Sequence, residues 1–380
     1  FIFQNAPQTE APAELTFYLP HAKAFNGAEV TSRQMHNLYT LRGAKVRDAQ
    51  NWSRSIDEAI ALFGEAEIYL ASHHWPMWGN ERIIAFLEQQ RDLYQYIHDQ
   101  TVRLFNAGMT PGEIAEHIKL PETIRSSVSN RGYYGTLKHN SRAVYQAYLG
   151  WYDGNPANLD PLPPAEAGAR YVRMAGGAEA LLTHAREAYG RAEYRWAAEV
   201  LSHLVFAEPG NRTAKRLLAA TYDQLGYQSE SGPWRDVYLT AAYELRHGTP
   251  ERGINIAAME DILRQTPVSR FFESMATRLN GPDAEGVVLT IKITFTDLDE
   301  SYLLELYNSV LHHRSAPSDT TADATLNLTH GLFVQMLTGQ AGLKDTLLSD
   351  ELEIEGSMLD LLEFFSLLDK PEGNFPVVTP

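Results

Sequence analysis

The chain has 380 residues, more than one ordinary domain holds, so two or three domains are expected. Hydrophobic residues at 44% and aromatics at 11% suffice for real cores and exclude global disorder, while a formal charge of −16 with no basic run argues against a nucleic-acid partner. No uninterrupted apolar run of about 18 residues exists, so no transmembrane segment is expected, and the absence of cysteine leaves only His, Asp and Glu to hold a transition metal.

Residues 1–80 mix short apolar runs with Gly and Pro. Ile56, Ala59, Ile60 and Phe63 recur at helical spacing between Arg54 and Phe63, with Gly64 as the stop. Ile68 to Ala71 reads as a buried strand that ends at Ser72-His73-His74-Trp75-Pro76, because Pro76 has no N–H to continue a ladder. Helix, strand, then a His-bearing loop is α/β grammar.

Residues 81–250 read as almost entirely helical. Ile83, Leu87, Tyr94, Ile97 and Leu104 share one face of a long helix. Thr110-Pro111-Gly112-Glu113 is a capping box with Pro at the first helical position. Arg131 to Pro164 reads as an irregular loop rich in Gly, Asn, Pro and aromatics. Beyond Gly176-Gly177, the apolar pattern Trp196, Leu201, Leu204, then Pro209-Gly210-Asn211, then Leu218 and Tyr222 resembles one or two tetratricopeptide-like units, too few to bury a core without neighbours. Gly248-Thr249-Pro250 marks a boundary. In residues 251–380, Val287 to Phe295, Tyr302 to Leu311 and Ala324 to Leu328 alternate as half-buried strands, and helices are predicted at 330–338 and 357–368, which makes an α+β layer fold.

Potential ligands concentrate in the first zone. Glu10 lies in Pro7-Gln8-Thr9-Glu10-Ala11-Pro12, a stiff loop that holds a carboxylate at small entropic cost. Glu29 follows the turn Asn26-Gly27-Ala28, and His74 ends the predicted strand. Three O and N donors on three loop tips suit a zinc site. Against this, most Glu side chains in any such stretch are solvated, and a lone His at a strand end is more often structural.

Several longer blocks point further. Met35 to Ala44 (MHNLYTLRGA), His73 to Gly79 (HHWPMWG), Arg131 to Thr136 (RGYYGT), and His139 to Gln146 continuing into Gly150 to Pro156 resemble the alkylsulfatases of the metallo-β-lactamase superfamily over essentially the whole chain. The resemblance implies an α/β and mainly-α multidomain protein. Residues 1–80 would be the C-terminal part of a metallo-β-lactamase αββα catalytic domain. Residues 81–250 would be a helical dimerisation domain, and 251–380 a sterol-carrier-protein-like α+β domain. The family's His-x-His-x-Asp-His metal motif is absent, and the chain starts at Phe1 with no leader. An N-terminal segment of the same protein is therefore expected to complete the site. A bacterial, periplasmic or secreted location is the matching expectation.

The implied activity is hydrolysis of alkyl sulfate esters of the dodecyl sulfate kind by a two-zinc centre supplying Lewis acidity. By resemblance Glu10, Glu29 and His74 would be metal ligands, with His73 behind His74. His36 would be the general acid, and Arg42, a planar donor fork, would clamp the sulfate with help from Asn37 and Thr40. Each has a plainer reading: Arg42 as a surface residue before a turn, His36 as a structural histidine. Tyr133 and Tyr134 could reach the pocket, although dimer packing is the preferred reading. The aromatics Tyr94, Tyr96, Tyr145, Tyr148, Trp151 and Tyr152 suit a homodimer interface or an intramolecular core. Phe333, Met336, Leu337, Met358, Leu361, Leu362, Phe364 and Phe365 would line or fill an apolar groove. The competing function is a non-catalytic, dimerising, lipid-binding module, or another hydrolase of the same superfamily.

Overall fold

The computed structural model describes residues 1–250, 259–317, 319–341, 352–370 and 373–380. It comprises two compact units, Phe1–Gly248 with Pro376–Pro380, and Thr249–Phe375.

The first unit opens with a five-stranded sheet in the order β1 (Ile2–Asn5), β2 (Leu15–Leu19), β3 (Ala24–Asn26), β4 (Ile68–Leu70), β5 (Met77–Trp78). Only β3 and β4 run parallel, and helix α1 (Ala49–Phe63) makes the crossover between them. That helix begins five residues before the predicted Arg54. Asp48 caps it by accepting the Asn51 N–H, and Trp52, Ile56, Ala59 and Phe63 form the buried stripe. Gly64 ends it, as the spacing predicts.

Helix α2 (Asn80–Asn106) packs along α1, and its predicted face, Ile83, Leu87, Tyr94, Ile97 and Leu104, is buried throughout. Phe25, Trp52, Phe63, Tyr69 and Tyr94 share one core with Ala143 and Val144. Helix α3 (Pro111–His117) carries the full Thr110–Glu113 capping box, followed by α4 (Glu122–Arg125).

The stretch read as an irregular loop contains a helix, α5 (Leu137–Leu149), capped by Thr136. Its buried face mixes Ala143 and Val144 with fully buried Asn140 and Ser141, so apolar periodicity did not reveal it. Then come α6 (Pro164–Met174), α7 (Ala178–Gly190), α8 (Tyr194–Ala207), α9 (Arg212–Gln228) and α10 (Gly232–His247), built around Leu181, Leu182, Leu201, Leu204 and Leu218. The C-terminal tail returns to α10, where Glu244 Oε1 accepts the N–H groups of Val377 and Val378 at 2.8 and 3.0 Å.

The second unit holds α11 (Glu260–Arg264), α12 (Val268–Ala276), β6 (Leu289–Phe295), β7 (Glu300–Tyr307), β8 (Val310–Ser315), β9 (Ala324–Leu328), α13 (His330–Leu337), β10 (Leu352–Gly356) and α14 (Met358–Ser366). The sheet order is β10-β9-β6-β7-β8, with β6 and β9 parallel. Alternate residues Leu289, Ile291, Ile293 and Phe295 are buried, as the period of two predicts. The single run read from Tyr302 to Leu311 is instead a hairpin. Asn308 and Ser309 both take positive φ, 52° and 59°, the geometry of a two-residue turn that matches strand twist.

The groove residues divide. Phe333, Leu361 and Phe364 are core, and Met358 and Leu362 are exposed. Met336, Leu337 and Phe365 border a cavity of about 520 Å³ together with Ile293, Leu326 and Leu328. The aromatics of the helical zone divide too: Tyr94 and Tyr145 are core, Tyr148 and Trp151 are exposed. Among the described residues no helix is long and apolar enough to cross a membrane.

Candidate metal centre

Three loops at one end of the first sheet meet. The loop between β1 and β2 carries Glu10. It is closed by Ala6 N–H to the Glu14 carbonyl at 2.8 Å and by the buried Thr9 hydroxyl, which donates to the Ala6 carbonyl at 2.6 Å. The turn after β3 carries Glu29. Asn26 Oδ1 accepts the Ala28 N–H at 2.8 Å, and Gly27 has no room for a side chain, since a Cβ there would lie 1.8 Å from Thr31 Oγ1.

The third segment, leading from Glu29 toward α1, carries His36, whose ring packs between Trp52 and Tyr134 with centroids 5.4 and 4.9 Å away. Its backbone is held on both sides. His36 N–H donates to the Tyr94 hydroxyl at 3.1 Å, and the His36 carbonyl accepts from Asn140 Nδ2 at 2.8 Å. Gly135 lies so close that a Cβ would fall 2.5 Å from that carbonyl.

One ligand atom each from Glu10, Glu29 and His36 lies within 4.8 Å of the others, the one such cluster among the described residues. His36 Nε2 is 3.6 Å from Glu29 Oε2, and its Nδ1 lies 3.0 Å from the Asn37 carbonyl. Burial pushes the His36 imidazole down to about 4, with the Asn37 carbonyl opposing and the Arg47 charge adding to the fall. The tautomer that gives Nδ1–H to the Asn37 carbonyl leaves the Nε2 lone pair on the Glu29 side, whereas the donor Arg47 Nη1, 3.3 Å from Nδ1, favours the other tautomer. Two carboxylates and an imidazole lone pair at this spacing form a donor set of the hard-to-borderline kind that divalent zinc accepts. Burial also raises the Glu14 carboxyl, and the nearby charges of Glu10 and Glu29 add to the rise.

The expected site residues are placed as follows. Glu10 and Glu29, read as ligands, converge, and His36, read as the general acid, lies with them. His74 has a left-handed backbone, φ 70°, and its Nε2 is directed at the Tyr133 hydroxyl, 3.4 Å away. His73, the less favoured of the pair, is the one that reaches Glu29, with Nε2 3.2 Å from Oε1. Arg42 is exposed on a turn closed by Gly43 N–H to the Thr40 carbonyl. Asn37 and Thr40 are buried, and the Thr40 hydroxyl has no partner among the described residues.

Arg47, which sequence reasoning passed over, is the guanidinium at the cluster. It pairs with the Glu10 carboxylate and donates to the Glu10 and Asn37 carbonyls and to Asn37 Oδ1. Asn140 and Tyr94 were also missed as supports of His36. A lone Arg before a helix, and polar groups on helices far along the chain, carry no local pattern.

Comparison with known proteins supplies the frame. Residues 110–248 match the family description alkyl sulfatase dimerisation, and residues 257–380 match alkyl sulfatase C-terminal. A linear primary-alkylsulfatase from Pseudomonas sp. is 46% identical over 100% of this chain and 56% of its own length. A second linear primary-alkylsulfatase, from another Pseudomonas strain, is 34% identical over 97% of this chain and 71% of its own length. The chain belongs to the alkylsulfatase family. The solved structure of the stereoselective inverting sec-alkylsulfatase Pisa1 from Pseudomonas sp. superposes on this chain with a TM-score of 0.93 at 40% identity, covering 100% of this chain and 60% of that one. The chain thus spans between half and three quarters of the length of these relatives.

Proposed function

We propose that this chain is the larger part of a zinc-dependent hydrolase that cleaves alkyl sulfate esters to alcohol and sulfate. The observation that carries the reading is the convergence of Glu10, Glu29 and His36 within 4.8 Å in a chain of the alkylsulfatase family. Glu10, Glu29 and His36 would hold one divalent ion, and His73 and His74 are the remaining imidazoles at the adjoining loop tip for a second. Two zinc ions when bound would polarise the sulfate ester and offset its charge. Three donors do not complete two ions, so further ligands would come from an N-terminal segment of the same protein. The aromatic cluster at β1 and β2, where exposed Phe1 and Phe3 stack and half-buried Phe17 tilts against both at 5.7 to 6.1 Å, supports such a covering segment.

The chain's own residues would do the following. Arg47 holds Glu10 and Asn37 in place, and the Tyr94 and Asn140 contacts fix the His36 backbone. Thr40 offers a buried hydroxyl, and Arg42 a solvent-facing guanidinium, to an incoming anion. Helices α7 and α9 begin at 178 and 212, 34 residues apart, which supports a tetratricopeptide-like reading of a dimerising region. The five-stranded sheet with helices and the 520 Å³ cavity supports a sterol-carrier-like reading of the second unit.

The test is release of sulfate from dodecyl sulfate by the protein containing this chain together with its preceding segment, with zinc counted per protomer. Near two zinc ions with turnover supports the hydrolase. No turnover at full zinc occupancy favours another ester substrate, and neither metal nor turnover leaves the lipid-binding module.

A further inference from the structure

A cleft between α5 and α10 has two joined compartments. The first is a cavity of about 400 Å³ walled by Tyr39, Leu41, Ala143, Trp234 and Val237. The second, of about 250 Å³, is edged by Lys138, Arg195 and Glu116. Arg142, Trp234 and Tyr238 line both.

The three cations are not equivalent. Lys138 and Arg195 share Glu116, at 2.7 and 3.0 Å. Arg142 is half-buried and has no hydrogen-bond or ion-pair partner among the described residues. In a chain with 48 acidic residues against 32 basic ones, an Arg that gives up hydration without gaining a carboxylate is unusual. Beside it the wall is aromatic and aliphatic: His139 lies 6.2 Å from Tyr39 and 6.3 Å from Trp234, ring to ring. An apolar trough that ends at an unpaired guanidinium, with a net positive rim, selects a ligand with an apolar body and an anionic end.

We propose that this cleft is a binding site for an anionic amphiphile, a single alkyl chain lying between Tyr39–Leu41 and Trp234–Val237 with its charged head on Arg142. The site is separate from the metal centre, since none of Glu10, Glu29 and His36 lines it. It stands without the hydrolase reading. Its floor, Tyr39 and Leu41, belongs to the same segment as His36.

The experiment is isothermal titration of the metal-free full chain with decane-1-sulfonate below its critical micelle concentration. Arms with decanoate, octane-1-sulfonate and 1-octanol complete it. One site is expected whose affinity falls about fifteen-fold from the decyl to the octyl sulfonate, at about four-fold per methylene. Arg142→Gln should weaken that site at least ten-fold for both sulfonate and carboxylate and leave 1-octanol within two-fold. Val237→Trp, at an exposed position, should block the site for all four probes whatever other sites remain. Equal losses for sulfonate and decanoate mark a general anion site, and a larger loss for sulfonate marks a sulfate-type head. Either supports the proposal. A decane-1-sulfonate isotherm unchanged by both substitutions, or an affinity indifferent to chain length, overturns it.

Discussion

Asn140 donates its carboxamide N–H to the His36 carbonyl at 2.8 Å, across 104 residues of sequence. Its Oδ1 accepts the Leu38 N–H at 2.9 Å, so one fully buried side chain serves two backbone groups. Asn140→Leu would leave both unsatisfied in the core, at about 1–3 kcal/mol each. The expected loss of unfolding free energy for the first unit is about 3 kcal/mol, read by urea titration. A loss below 0.5 kcal/mol (roughly the scatter of neutral surface changes) would mean that water replaces the carboxamide.

His36→Ala separates two roles for the same imidazole. As a ligand, its removal lowers metal bound per protomer in the complete protein, measured by elemental analysis after dialysis. As a general acid, its removal would leave metal content intact and abolish turnover alone. The convergence on Glu29 leads us to expect metal loss, with Glu29→Gln behaving alike. His73→Ala and His74→Ala, compared side by side, tell which imidazole of that tip matters.

Arg47 and Glu10 form a largely enclosed pair, with side chains 10% and 17% exposed. Breaking such a pair from one side costs about 3–5 kcal/mol, because the other charge stays behind. Arg47→Met alone should therefore be destabilising by about 3 kcal/mol, and Arg47→Met with Glu10→Gln by clearly less. Additive losses in that double-mutant cycle would show that the two side chains act independently.

His139 contributes a pH dependence of known sign. Burial holds its imidazole below the ordinary 6.5, and the Arg142 charge adds to this, while the hydrogen bond to the Tyr39 carbonyl opposes it. The unfolded chain therefore binds a proton that the folded one refuses as pH drops below about 6.5. Stability from this group is complete above that value and declines below it. His139→Gln should flatten the stability profile between pH 7 and 5 relative to the parent, and an identical slope would refute the assignment.

In the second unit, Phe272 is fully buried and touches Phe295, Tyr302 and Phe333 with ring centroids 5.2 to 6.4 Å apart. Phe272→Ala should cost about 3–5 kcal/mol. Thermal unfolding should show the transition of Thr249–Phe375 moving down. A shift confined to the first unit's transition would be the contrary result.

Periodicity made the amphipathic elements legible. The α2 face, the β6 alternation and the Thr110 cap follow directly from residue spacing and local hydrogen bonding. The α5 helix escaped because Asn140 and Ser141 put polar groups on its buried side, and the β7–β8 turn escaped because Asn308-Ser309 lacks the usual glycine. At the site, Glu10 and Glu29 were legible from their turn-bound positions and the family resemblance. The positions of the histidine rings were not, because which of His36, His73 and His74 lies beside a carboxylate depends on φ at His74 and on contacts from Tyr133, Tyr134 and Asn140, in the distant loop and the start of α5. Arg47 was illegible for the same reason: its partners are a carbonyl and a carboxylate 37 residues away and a carboxamide ten residues away.

The two N–H groups that Val377 and Val378 present to Glu244 give the polypeptide an unusual itinerary. The backbone departs from the end of α10 at Gly248, builds the whole of Thr249–Phe375, and comes home to the same helix. The later unit is thus spliced into the earlier one rather than hung from its end. A single protease nick in either joining strand would leave it moored by the other.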